Sequence, residues 1–256
     1  MENERRVQQK TPASRYALLD ELRGLDLISM MLFHVCWDLV FLFDVNMRWY
    51  AGTPGRLWQQ AICWVFILLS GFCAPFGRHM LRRGITVFAA GALETAATLV
   101  FMPEGRVIFG VLTFLGTAML LTGVLEPVLK RTPPLVGLAA SAVLFVLCSP
   151  VSSGRVGIGS WQVLLPQSLY VNYFTAFLGF YPFWFYSADY YALLPWLFLF
   201  WAGYFLHSVV GWERMGLLRH SVCPSLGWMG RHSLLLYLLH QQVIYGVLSA
   251  AAVLFA

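Results

Sequence analysis

His34 and Asp38 stand four residues apart in the apolar run LRGLDLISMMLFHVCWDLVFLF, residues 22–43. On a helix that spacing puts both side chains on one face. An ionisable side chain inside a membrane span costs roughly 2.5–3.5 kcal/mol on insertion scales, so each one asks for a reason. A carboxylate can accept a hydrogen bond from one imidazole nitrogen, fixing the tautomer and leaving the other nitrogen the better base. That is the chemistry of a general base with a companion acid. The alternative is structural: a buried polar pair bonded to neighbouring helices. Arg23 precedes His34 by eleven residues, ~16 Å along a helix. Arg23 would then sit at the membrane surface and His34 near its middle. A ligand with an anionic head and a long reactive arm suits that geometry, and coenzyme A has this shape. Taken alone, Arg23 reads equally as a simple charge anchor.

Other polar residues stand in or beside apolar runs. Glu94 lies in the run 84–101, toward its outer half. His240 is midway along the last run and is followed by Gln241. Asp189 opens the sixth run within Ser187-Ala188-Asp189-Tyr190-Tyr191. Glu94, Asp189, His240 and Gln241 are the candidate substrate-binding groups, expected to face one cavity with Asp38. Two have bland alternatives: Glu94 as partner of Arg106, and Asp189 as an N-cap-like carboxylate near a helix start. Asp26 and Glu126, near the ends of their runs, read as snorkelling or capping residues. Ser70-Gly71-Phe72 reads as a bend or a close-packing point.

The elements that must carry these residues follow from composition. The chain has 256 residues, 59% hydrophobic and 11% charged. A soluble domain has about 45–50% apolar and ~25% charged residues. A soluble globular domain, a disordered chain and a secreted disulfide scaffold are thereby excluded. A β-barrel would show ~10-residue alternating segments, and the apolar runs here are longer and do not alternate. The fold class expected is all-α: a polytopic membrane bundle of about seven helices. The formal charge of +5 sits at the ends of apolar runs, so no nucleic-acid partner is expected. Cys36, Cys63, Cys73 and Cys148 lie in apolar runs, where a free Cys is a small packing residue. No CxxC or Cys/His pattern marks a metal site, and none is expected.

Seven runs near the ~20 residues a bilayer requires fall at 22–43, 58–77, 84–101, 107–129, 134–150, 191–211 and 232–255. Residues 1–21 read as a cytoplasmic tail, and 22–256 as a single transmembrane domain. No short apolar core with a small-residue cleavage site precedes the first run, so no cleaved signal is expected. With the N-terminus inside, inner segments hold thirteen Lys and Arg and outer segments four, which favours that orientation. Between Tyr170 and Tyr191, 12 of 22 residues are aromatic. An eighth span there would put Arg214 and Arg219 outside. The segment 150–190 is therefore expected to be an outer interfacial or re-entrant stretch. Gly84 and Gly91, seven apart, favour close helix contact.

Taken in order, these segments resemble a known family. LRGLDLISMMLFHVCWDLVFLF looks like the first span of the heparan-alpha-glucosaminide N-acetyltransferase catalytic domain family. FYSADYYALLPWLFLFWAGYFL resembles its late segment, and GRHSLLLYLLHQQVIY its final span. VFILLSGF and the Arg23–His34 spacing are also similar to related integral-membrane O-acyltransferases of bacterial surface sugars. The middle, 84–165, matches mainly through FGVLTFLGTAMLL. The resemblance implies a membrane acetyltransferase that moves acetyl from cytosolic acetyl-CoA to a sugar or amino sugar. It implies His34 as the active His, Asp38 as its companion acid, and Arg23, with Ser70, on the coenzyme side. It also implies a multi-pass protein of the bacterial inner membrane, acting in the cell envelope. Its partners would be the lipid bilayer and a sugar acceptor, and the oligomeric state, homo-oligomer included, stays open.

Two other classes compete. A proton-coupled carrier would also use intramembrane Asp, Glu and His, though many carriers show inverted repeats and none is visible here. A non-catalytic membrane protein explains the topology but not the placement of Arg23, His34, Asp38 and His240. The orientation is directly testable. A reporter fused after Ala256 reads as extracytoplasmic if the N-terminus is inside and seven spans follow; a cytoplasmic reading removes that arrangement.

Overall fold

The structure, a computed structural model, describes residues 16–255; residues 1–15 of the expected tail lie outside them. Of the described residues 76% are helical, and among them seven helices are long and apolar enough to cross a membrane. In chain order the elements are α1 (Ala17–Phe41), α2 (Arg48–Ala51), α3 (Thr53–Cys73), α4 (Met80–Phe101), α5 (Val111–Leu129) and α6 (Pro134–Cys148). They are followed by β1 (Arg155–Ile158), β2 (Trp161–Leu164), α7 (Tyr173–Leu178), α8 (Leu193–Arg214), α9 (Pro224–Arg231) and α10 (Ser233–Phe255). The seven-helix expectation holds. α1 starts at Ala17, so Asp20 and Glu21, expected in the tail, are helical and buried.

The fold divides into two compact units, one of residues 16–62 with 210–255, the other of residues 63–209. In the first, α1 packs against α9 and α10. Small residues set that contact. A Cβ on Gly24 would meet the Leu226 carbonyl, and one on Gly230 the Asp20 carbonyl. The Glu21 carboxylate accepts from Ser221 Oγ at 2.5 Å and from the Val222 amide at 2.9 Å. These bonds tie the chain entering α9 to the start of α1. Midway along α1, Trp58 Nε1 donates to Ser29 Oγ at 2.9 Å and Tyr50 Oη to the Phe33 carbonyl at 3.0 Å. Phe33 packs against both rings.

In the second unit α4 lies along α5, and the glycines expected to allow close approach do so. Gly91 faces the Thr113 amide and Oγ1, Gly84 faces Leu120, and Gly116 of α5 receives the Phe88 backbone in return. A matching exchange joins α3 and α8: Gly71 meets the Phe200 carbonyl, and Gly203 meets that of Leu68. Ser70-Gly71-Phe72 is thus a close-packing point. His207 of α8 is buried between Phe72 and Phe76, with Nδ1 3.0 Å from the Phe72 carbonyl. A carbonyl only accepts, so His207 donates and serves one of the open carbonyls at the end of α3.

The segment 150–190 holds no long apolar helix, as expected. It holds a feature the all-α reading lacks, an antiparallel hairpin pairing Arg155 with Leu164 and Ile158 with Trp161. Its two-residue turn starts at Gly159, with φ +56°, the left-handed conformation that tight hairpin turns demand. Asn172 then caps α7 in a capping box with Thr175. Tyr190 Oη donates to the Ala176 carbonyl, and burial, with Tyr181 nearby, pushes its phenol pKa up.

The segment before α8 fixes the start of α5. Ala188 and Tyr191 amides donate to the Arg106 and Phe109 carbonyls at 3.0 and 2.9 Å. Ser187 Oγ accepts from the Ile108 amide at 2.9 Å. This pairing draws residues 106–110 out of helix, with Phe109 at φ +58°. α5 therefore starts at Val111 and not at the expected 107.

The glycine contacts give a stability prediction. Gly91→Val, which drives methyl groups into the Thr113 backbone, is expected to destabilise the protein by about 1–3 kcal/mol. Gly246→Ala, where an added Cβ meets nothing within 4 Å, should leave it nearly unchanged. Thermal denaturation in detergent compares the two.

Candidate active site

The first unit gathers His34, Asp38, His240 and Gln241. α1 carries the first two one turn apart, and α10, packed on α1, carries the others side by side. The His34 and His240 rings meet edge to face, centroids 4.7 Å apart. His34 Nδ1 lies 2.9 Å from the Met30 carbonyl, and His240 Nδ1 lies 2.5 Å from that of Tyr237. A carbonyl is only an acceptor, so both Nδ1 atoms carry the hydrogen and both Nε2 atoms keep a lone pair. Two imidazoles, each a base at Nε2, thus stand against each other.

Asp38 is fully buried, and its Oδ1 accepts from Gln241 Nε2 at 2.8 Å. This departs from the expectation that Asp38 orients the His34 ring through a hydrogen bond. The backbone of the preceding turn orients that ring, because Met30, at i−4, presents its carbonyl first. Asp38 acts on His34 through charge and binds the neighbouring helix through Gln241. Asp38 Oδ2, Gln241 Oε1 and His240 Nε2 are buried with no partner among the described residues. All three are acceptors, so the site suits a ligand or proton that brings donors.

Arg23 shares the continuous helix α1 with His34, which keeps the ~16 Å axial separation. It is not a lone cation: its Nη1 lies 3.5 Å from Asp20 Oδ1. Asp26 is 7% exposed and does not snorkel. It lies on the stripe of α1 that also buries Leu27 and Met30, two turns before His34. Its four-residue steps to Met30, His34 and Asp38 were the signal for placing it with them. Glu126 pairs with Lys130 at 2.7 Å, an i, i+4 bridge.

The second unit holds the remaining candidates. Asp189 Oδ2 accepts from the Val111 amide at 3.1 Å. It is N-cap-like, as the alternative reading had it, but the helix it serves is α5. Glu94 is close enough to interact electrostatically with Asp189, and its Oε2 is buried without a partner among the described residues. Arg106 does not pair with Glu94. It donates to the Pro103 carbonyl and lies over the Tyr186 ring. Ser70 is half-buried in α3. Among the described residues no group of three or more His, Cys, Asp or Glu could hold a metal ion.

The Asp38–Gln241 bond has a measurable weight. Gln241→Leu removes the donor from a buried carboxylate and is expected to cost about 1–3 kcal/mol of stability. Asp38→Asn keeps an acceptor for Gln241 and should cost less. Denaturant or thermal unfolding of the two variants orders them.

Comparison with known proteins completes the description of the site. No curated protein and no solved structure matches the chain. The sequence profile of the family described as "Heparan-alpha-glucosaminide N-acetyltransferase, catalytic" matches residues 15–242. That stretch runs from before α1 into α10 and takes in every candidate residue above, so the chain belongs to the heparan-alpha-glucosaminide N-acetyltransferase catalytic family.

Proposed function

We propose that this protein is a membrane acetyltransferase that transfers acetyl from acetyl-CoA to an amine or hydroxyl of a sugar acceptor, with His34 at the centre of the chemistry. The observation that carries this reading is the fixed tautomer of His34. With Nδ1–H bonded to Met30, the ring offers Nε2 alone, inside an apolar helix pair. As general base, Nε2 takes the proton from the acceptor N–H or O–H while that atom attacks the thioester carbonyl. The carbon–sulfur bond then breaks, and the coenzyme thiolate leaves and collects a proton. As a transient carrier, Nε2 itself attacks the carbonyl and the carbon–sulfur bond breaks with loss of the coenzyme thiolate; in a second step the acceptor attacks the acetyl carbon, the bond to Nε2 breaks, and the proton of the acceptor passes to the freed ring nitrogen. In either route the ring gains positive charge, and the Asp38 carboxylate one turn away stabilises it.

The other residues take supporting roles. Gln241 holds Asp38, and His240 presents a second Nε2 beside the first, where an acceptor N–H or O–H can be bound. Arg23, about three helical turns from His34, suits the phosphate end of the coenzyme, with Asp20 fixing its guanidinium. Glu94 and Asp189 are proposed acceptor contacts, Asp189 doing so in addition to its bond to α5. Ser70 is a coenzyme contact by resemblance alone. The protein acts in a bilayer, with its N-terminus on the side of the coenzyme.

General-base help is typically worth 10²–10⁴-fold. His34→Ala is therefore expected to lower transfer of labelled acetyl from acetyl-CoA to a panel of sugars and amino sugars by at least about 10²-fold. Binding of acyl-CoA to the same variant should persist. Transfer at the wild-type rate in His34→Ala overturns the role of His34. A wild-type protein that binds no acyl-CoA but moves a solute with protons would make it a carrier instead.

A further inference from the structure

At one end of the second unit, a cavity of about 390 Å³ opens between the loop before α4, the end of α5 and α8. Its polar lining is Arg78, His79, Glu126, Lys130 and Tyr204. None of these belongs to the candidate active site, and the acetyl-transfer reading does not use them. The side chains of the cavity supply two cations and a phenol against a single carboxylate. Arg78 has no carboxylate partner among the described residues, and Glu126, the one acid, is engaged by Lys130 at 2.7 Å.

Tyr204 gives the sharper sign. The residue is 6% exposed, it lines the cavity, and its hydroxyl makes no hydrogen bond among the described residues. The hydroxyl lies within electrostatic reach of both Glu126 and Lys130. Tyr204 thus lines the cavity with a hydroxyl that is free to donate to whatever occupies it. The start of α4 adds to it. Its first backbone bond runs from the Arg83 amide to the His79 carbonyl, and no side chain caps the turn. The amides ahead of that bond are therefore also open donors, at the positive end of the helix dipole.

The cations and the phenol of this cavity suit an oxyanion. We infer that the cavity binds the phosphate group of a phosphate ester, with Arg78, Lys130 and the Tyr204 hydroxyl as its ligands. A guanidinium can grip two phosphate oxygens at once, whereas the ammonium acts as a point charge and the phenol supplies one bond. Two sources can present this group: the headgroup of an anionic phospholipid, for which basic pockets between membrane helices are a known setting, or a soluble phosphate ester. The site stands whether or not the protein transfers acetyl groups.

Thermal denaturation of the full-length protein in a neutral detergent tests this. Phosphatidylglycerol is added in one arm and sodium pyrophosphate in the other. Phosphatidylcholine and sodium chloride at equal ionic strength serve as their controls. At least one phosphate arm should raise the Tm saturably above its control. Response to phosphatidylglycerol alone identifies a lipid headgroup, and response to pyrophosphate identifies a soluble phosphate compound. Tyr204→Phe, which removes a single oxygen, should raise the half-saturating concentration about tenfold, as expected for a bond to a charged group. Arg78→Gln with Lys130→Gln should abolish the shift. The inference is overturned if neither arm exceeds its control, or if Tyr204→Phe and the double variant respond as the wild type does.

Discussion

A carboxylate inside an apolar helix bundle has to be met by a donor, because no water is at hand to replace one. Asp38, with 0% exposure, is met by Gln241 at 2.8 Å. The arrangement of the first unit follows from that requirement. The bond fixes the rotation of α10 against α1, and His240, the residue before Gln241, is thereby brought onto the edge of His34. A slip of α10 by one residue would turn Gln241 by about 100° and leave Asp38 buried and unmet. The polar pair thus sets the register in which the two imidazoles meet, and apolar side chains alone would leave that register loosely defined.

Elsewhere the helices are held by closeness. In lipid the hydrophobic effect does not drive one apolar helix onto another, so dispersion and backbone approach must do so. The reciprocal glycines of α4 with α5, and of α3 with α8, allow that approach. The segment 187–191 adds directional bonds to the loop before α5. The second unit therefore presents Asp189 at a helix start, and the first presents its histidines from helix interiors.

Much of this was legible in the sequence. Apolar runs of bilayer length give the seven helices, because in a membrane every backbone group must be bonded within its own segment. The four-residue spacing of His34 and Asp38, and the glycine spacing of Gly84 and Gly91, are local patterns that survive into three dimensions. The partners of polar groups were not legible. His34 bonds to a backbone carbonyl, Asp38 to a residue some two hundred positions away, Asp189 to the amide of another helix and Arg106 to a tyrosine face. Each choice depends on which helix lies alongside, and spacing within one helix carries no such information. The hairpin at 155–164 was missed for a related reason: a four-residue strand has too short a period to stand out among apolar neighbours.

The two histidines share one further property. Each has its Nδ1 bonded to a main-chain carbonyl of its own helix, three or four residues earlier. Main-chain atoms do not change when side chains do, so regiochemistry at this site is written into helix geometry and is immune to substitution around it. Neither ring can turn over without giving up that bond. An electrophile arriving here meets the same nitrogen on both rings, so the Nε2 isomer forms whichever ring it reaches first.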